Sequence, residues 1–403
     1  MADQIEETIR SLRKLGRTHG AESEKVVRWV RGESERRCAD GDSWYLGDLG
    51  VALLAAHRAE PQAWQYLYIF DHLFKLLVEV SGKGDLPQTL RLIAASRAAG
   101  HDIDRIAAAR LAAHRRRATF ADAFIGHGLA DDVGDTFRAC LVHEIVLREG
   151  TARGRSWITE WAASAAMRRH PLGWLPLDLA AFERGWDRGP WVGGPGGTRA
   201  GSAARGTVGG VVSGVVTGTV GREITLHPRS HRRRSAADVT TPMASIRLSA
   251  AVMNWVEDSN GRIEARVFDL GGPVPPPNVP ETLAMLGLRC VEPGDMPVRL
   301  SVSAISVDQA WWALFHAALD GGAYGRGRFG AYSRLFAWRS LAAFTGAPED
   351  AGALDVMRSA QRCAWYRFDA DAPWYSGIVC DIGLVAVRPD GRRMAVLAAT
   401  DSD

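Results

Sequence analysis

Residues 131–135 read Asp131-Asp132-Val133-Gly134-Asp135. In this D-D-x-x-D arrangement, carboxylates on neighbouring helical turns share hard cations and through them hold a diphosphate. Such a centre needs a second acidic motif on another helix, and the sequence supplies none. Gly134 also weakens a helix running through the cluster, so the simpler expectation is a solvated turn ahead of a helix over 134–148. His127, Asp131, Asp135 and His143 are the residue types that ligate a metal, but no H-E-x-x-H or C-x-x-C spacing fixes them as a set. No metal or cofactor is expected.

The second concentration of chemistry lies between Gly321 and Arg334, GGAYGRGRFGAYSR, which contains G-x-G-x-x-G at Gly325, Gly327 and Gly330. A dinucleotide fingerprint follows a strand, whereas residues 308–319 carry helical periodicity, so dinucleotide binding is not expected. The glycines instead leave backbone N–H groups unshielded at the start of a helix near Ala331, where a negative charge is favoured. Arg326, Arg328 and Arg334 add guanidinium forks. The expected anion site is therefore Gly325, Arg326, Gly327, Arg328, Gly330 and Arg334, competing with a helix-to-helix turn whose arginines pair with carboxylates. If the anion were a substrate, Asp381 or Asp401 would be the candidate base. The pairs Asp401/Asp403 and Asp369/Asp371 each share a strand face and could seat a cation, although charged strand ends are usually just solvated.

Several reaction classes drop out. Ser11-Leu12-Arg13-Lys14 fits S-x-x-K without its companion motifs, and no G-x-S-x-G occurs. The four lysines, Lys14, Lys25, Lys75 and Lys83, leave the second half without a Schiff-base or P-loop lysine. Cys38, Cys140, Cys290, Cys363 and Cys380 are widely spaced and odd in number, which points to reduced, mostly buried thiols and a cytoplasmic setting. The N-terminus begins with Asp3, Glu6 and Glu7 rather than a basic and then apolar leader.

The elements that must position these residues divide by composition. At 403 residues the chain is longer than one core usually serves, and 46% hydrophobic with 24% charged residues is ordinary globular usage. Residues 1–185 carry helical periodicity. Helices are expected over 3–15, 21–31, 47–59, 87–99, 102–120, 134–148 and 156–168, with a broad apolar face from Trp64 to Leu77 marking a central helix. From 186 to 240 Gly, Val, Ser and Arg replace that pattern, so this stretch is expected to be a linker or insert. Its run from Val208 to Val220 is too short to cross a bilayer. Residues 188–234 hold eight arginines against Glu223 alone, a local charge of +7 within a net +3.

After 240 the period becomes two. Ile263, Ala265 and Val267 alternate with Arg262, Glu264 and Arg266, and Ser259-Asn260-Gly261 suggests a hairpin turn following a strand over 246–256. Residues 272–280 hold five prolines and should be an extended loop. Strands are expected near 288–291, 298–305, 363–369, 377–388 and 392–400, and helices near 307–319, 331–345 and 350–361. The fold class is α+β: an N-terminal all-α helical stack (1–185) followed by an antiparallel α+β domain (241–403).

The segment Gly321–Gly346, the turn Val387-Arg388-Pro389-Asp390-Gly391-Arg392 and the tail from Ala395 to Asp403 resemble an uncharacterised actinobacterial family known only as a domain of unknown function. The resemblance is strongest over the second half and implies no activity or cofactor. The residues alone do not assign a function. The expectation is a cytoplasmic protein that binds a protein partner or an anionic small molecule, with an enzyme acting on an anionic molecule through 321–334 as the alternative. Nucleic-acid contact is expected only nonspecifically, through Arg229, Arg232, Arg233 and Arg234.

Overall fold

The computed structural model describes residues 2–15, 20–79, 85–114, 120–125, 132–184, 221–228, 236–323, 325, 327–375 and 380–401. They form two compact units, Met1–Gly173 and Trp174–Asp403. No helix among the described residues is long and apolar enough to cross a membrane.

The first unit is helical: α1 (Ala2–Lys14), α2 (Ala21–Ala39), α3 (Ser43–Ala59), α4 (Trp64–Glu79), α5 (Asp85–Ala98), α6 (Asp104–His114), α7 (Asp135–Glu149), α8 (Ser156–Ala162) and α9 (Ala165–Arg169). The apolar face of α4 buries Tyr66, Ile69, Phe70, Leu73, Phe74 and Leu77. The helix enclosed on every side is α7, in which each residue from Phe137 to Leu147 is buried. The stretch expected as one helix over 156–168 breaks at Ala163, and Ser164 caps the following helix by accepting from Met167 N. Helix α3 lies close against α5 because Gly47 and Gly50 face it. A Cβ on Gly47 would fall 2.0 Å from Gln88 Oε1, and one on Gly50 2.7 Å from Leu92 Cδ2.

The second unit is built on one seven-stranded sheet: β1 (Arg222–Leu226), β2 (Ala237–Asp238), β3 (Arg262–Asp269), β4 (Val298–Ile305), β5 (Ala364–Ala370), β6 (Cys380–Val387) and β7 (Arg393–Asp401). Its order is β1-β4-β5-β6-β7-β3-β2, and every neighbouring pair is antiparallel. Six helices complete it: α10 (Pro242–Leu248), α11 (Met253–Glu257), α12 (Val279–Ala284), α13 (Val307–Asp320), α14 (Phe329–Thr345) and α15 (Ala353–Arg362). One sheet face, with Val302, Phe368, Val385, Val396 and Ala398, packs on residues 270–291, including Val279 and Leu283. The alternate residues Leu384, Ala386, Leu397 and Ala399 are buried as well, against the face where α13 meets β5 and β6 and α14 meets β6 and β7. Strands covered on both faces lose the alternation of a one-sided sheet and read as continuous apolar runs.

Several local expectations are corrected. Residues 242–257 are helical and not a strand, because Thr241 accepts from Ala244 N and Pro242 occupies the first turn. Gly261 therefore closes a helix instead of a hairpin: its N–H donates to Trp255 O at 2.9 Å, and a Cβ there would lie 2.6 Å from that oxygen. Arg289–Val291 is a 3-10 turn, not a strand. The proline-rich stretch forms a 3-10 turn at Pro276–Asn278 and then enters α12. Within the expected linker 186–240, residues 222–226 and 237–238 are the two edge strands of the sheet; residues 185–220 and 229–235 lie outside the described residues.

Candidate functional site

The glycine-rich loop begins where α13 ends. Gly321 and Gly322 both have positive φ, +78° and +75°, and the chain then folds back over the last turn of α13, with Arg328 N donating to Ala318 O at 3.0 Å. A Cβ on Gly327 would sit 1.7 Å from Leu319 O, and one on Gly325 2.0 Å from Gly321 O. These glycines are demanded by backbone packed on backbone.

An anion does meet this loop, and it belongs to the chain. Asp401 at the end of β7 is buried, with its carboxylate accepting from Ala323 N at 2.6 Å and from Ser259 Oγ at 2.9 Å. A Cβ on Gly322 would lie 2.2 Å from Asp401 Oδ2. Arg328 hydrogen-bonds the Glu257 carboxylate and lies 3.9 Å from Asp258 Oδ2. Gly330 is the second residue of α14, and Arg326 is outside the described residues.

Arg334 points away from the loop altogether. It is fully buried in a bidentate pair with Glu183, at 2.7 Å from Nε and 2.8 Å from a terminal nitrogen. It also donates to Pro176 O and Asp178 O. Of the arginines expected at one anion, Arg328 and Arg334 thus each pair with a different carboxylate.

The five cysteine thiols show no activation. Burial, followed by Asp320, Asp401 and Asp381, pushes the Cys380 thiol up to about 11. Burial likewise raises Cys38, Cys140 and Cys290, and takes Cys363 to about 11. A raised thiol pKa withholds the thiolate that does nucleophilic chemistry. Glu264, which alternates with Ile263, Ala265 and Val267, is buried and accepts from Cys290 N at 2.8 Å in the 3-10 turn.

The helical unit holds a different arrangement. Helices α3 and α5 and the start of α7 border an open cleft of about 820 Å³. Its apolar wall is Val51, Ala94, Ala95 and Ala98, and its polar residues are Arg91, Arg97, Asp132 and Asp135. Arg91 is engaged, donating to Asp48 Oδ1 at 2.7 Å and Gln88 Oε1 at 3.2 Å. Asp135 lies 3.4 Å from Arg138. Arg97 packs over Gly134, where a Cβ would fall 0.9 Å from its NH1; the arginine end could swing aside, so it is the φ of +80° that calls for glycine at 134. Of the four residues first considered as a metal set, His127 and Asp131 are outside the described residues, His143 is fully buried within α7, and Asp135 is at that helix's exposed start. Among the described residues no group of three or more His, Cys, Asp or Glu is placed to hold a metal.

Arg91 and Arg97 were not singled out by motif. The signal that points to them is the spacing of two arginines around Ala94, Ala95 and Ala98 on one helix: small residues leave room, and long charged ones rim it.

Over residues 28–403 the sequence matches the family described as Family of unknown function (DUF6183). The chain belongs to this family. The match reaches back through the helical unit from α2 onward, so both units are part of what defines DUF6183. No curated protein and no solved structure matches the chain. Its membership supplies no activity, and the functional argument rests on the residues themselves.

Proposed function

We propose that this DUF6183 protein is a cytoplasmic binding protein whose helical unit takes a small ligand in the cleft between α3, α5 and the start of α7. The observation that carries this is the cleft: at about 820 Å³ it is in the size range of small-molecule sites, and it combines an apolar wall with a few charged groups, as such sites do. The five unpaired cysteines are in keeping with a reducing compartment. The alternative, an enzyme holding an anionic substrate through 321–334, has less support, because Asp401, Glu183 and Glu257 already engage Ala323 N, Arg334 and Arg328.

The test is thermal denaturation of the full chain against a panel of metabolite-sized ligands, beside Ala94→Trp, whose indole would fill the cleft. A ligand that binds the native state raises Tm by mass action. At least one ligand should raise the Tm of the wild type and leave Ala94→Trp unmoved. A panel that shifts both proteins equally, or neither, would remove the cleft as the binding site.

A further inference from the structure

Two opposite charges share this cleft without meeting. Arg97 and Asp132 both line it, and both are exposed. No ion pair joins them to each other, and neither makes a hydrogen bond or ion pair with another described residue, Arg97 acting on Asp104 only at a distance; the other two charges, Arg91 and Asp135, have partners. The Arg97 guanidinium lies against Gly134. Asp132 is two residues before Gly134, so roughly 8 Å of backbone at most separates the carboxylate's Cα from the glycine on which the guanidinium rests. Val51, Ala94, Ala95 and Ala98 supply the apolar part of the same cleft.

We infer that the ligand is a zwitterion, a small molecule with an anionic group for Arg97, a cationic group for Asp132 and a short apolar body against Val51, Ala94 and Ala98. This rests on the cleft being the binding site as proposed above. A guanidinium prefers a planar oxyanion that takes two hydrogen bonds, so a carboxylate fits it well. An ion bearing only one of the two charges would satisfy one residue and lie beside a like charge at the other, so affinity should demand both ends at once. Aminoalkyl carboxylates of the amino-acid type are the class with these features.

The experiment is calorimetry with glycine, 4-aminobutyrate and 6-aminohexanoate, each set against its singly charged counterparts. For 4-aminobutyrate these are butyrate and butylamine. At least one zwitterion should bind ten times or more tighter than either counterpart. Arg97→Gln and Asp132→Asn should each weaken it at least tenfold, with unchanged Tm in the absence of ligand because both side chains are exposed. If butyrate or butylamine binds as tightly as its zwitterion, or if no zwitterion binds, the inference falls. The broader panel separates the two failures: a different ligand blocked by Ala94→Trp would overturn only the zwitterion, whereas an Ala94→Trp variant that blocks nothing would overturn the cleft with it.

Discussion

Glu183 and Arg334 stand 151 residues apart in sequence and meet as a bidentate ion pair with neither side chain accessible to solvent. Glu183 also accepts from Trp338 Nε1 at 2.8 Å and from Ala180 N at 2.7 Å. Around this pair the segment 174–184 lays Trp174 and Phe182 against Trp338, with ring centroids 6.0 and 5.1 Å apart. Buried charges persist only when their hydrogen-bonding capacity is met, and here the carboxylate and the guanidinium meet each other's needs with help from Pro176 O and Asp178 O.

Removing one partner should therefore be costly. Arg334→Met or Glu183→Gln strands the other group, and each should lower stability by about 3–5 kcal/mol. The paired replacement Glu183→Leu with Arg334→Met should cost much less than the sum of the two, since an apolar pair leaves no uncompensated charge. Urea denaturation of the two singles and the double measures this; additive losses would show that the two residues are not coupled.

The Asp401 carboxylate should hold the glycine loop in the same way. Asp401→Ala leaves Ala323 N and Ser259 without their acceptor and should cost about 1–3 kcal/mol. Gly322→Ala should cost at least as much, because it combines positive φ with a Cβ placed 2.2 Å from Asp401 Oδ2. A thermal melt of each variant tests the claim, and a Gly322→Ala protein as stable as wild type would contradict it.

Stability should change with pH in opposite directions at two sites. Burial pushes His316 down to about 4, against about 6.5 in an unfolded chain. Its contribution is thus complete above pH 6.5 and is lost as pH falls toward 4. Asp104 is pushed up to about 6, first by burial and then by Asp102, so in its charged form it opposes folding at neutral pH. Asp104→Asn should stabilise at pH 7.5 and do little at pH 4. His316→Phe should flatten the loss between pH 6.5 and 4. Denaturation midpoints at pH 7.5, 5.5 and 4 decide both.

The arginine run Arg229, Arg232, Arg233 and Arg234 should bind nucleic acid weakly and without sequence preference, with affinity falling steeply as salt rises through counterion release. Replacing all four with serine should abolish that binding in a fluorescence anisotropy titration. A tight complex that survives the replacement would mean that recognition lies elsewhere on the chain.

Local chemistry made much of the fold legible in the sequence. Helical periodicity located α1 to α7, Gly and Pro marked the breaks, and short apolar and aromatic runs located β4 to β7, because these signals arise between residues a few positions apart. The α+β class followed from their order. Where a local signal had two solutions the sequence could mislead: the stretch over 246–256 has apolar residues fit for a strand, and Thr241 with Pro242 settled it as helix. Alternation along 262–267 reports one covered face and says nothing of a second, and it is the packing of 270–291 on the other face that buries Glu264.

The sites were decided by tertiary structure. Glycines at 321–327 mark a place where backbone approaches closely, but nothing within that segment says which groups its N–H groups and arginines will meet. Asp401, Glu257 and Glu183 answered from 78, 71 and 151 residues away. The cleft of the helical unit was equally hidden, because Arg97 comes from α5 and Asp132 from the approach to α7, and residues so separated become neighbours only when the helices pack. Sequence fixes which groups a chain can offer, whereas the close packing of distant elements determines which of them satisfy one another and which are left facing a cleft.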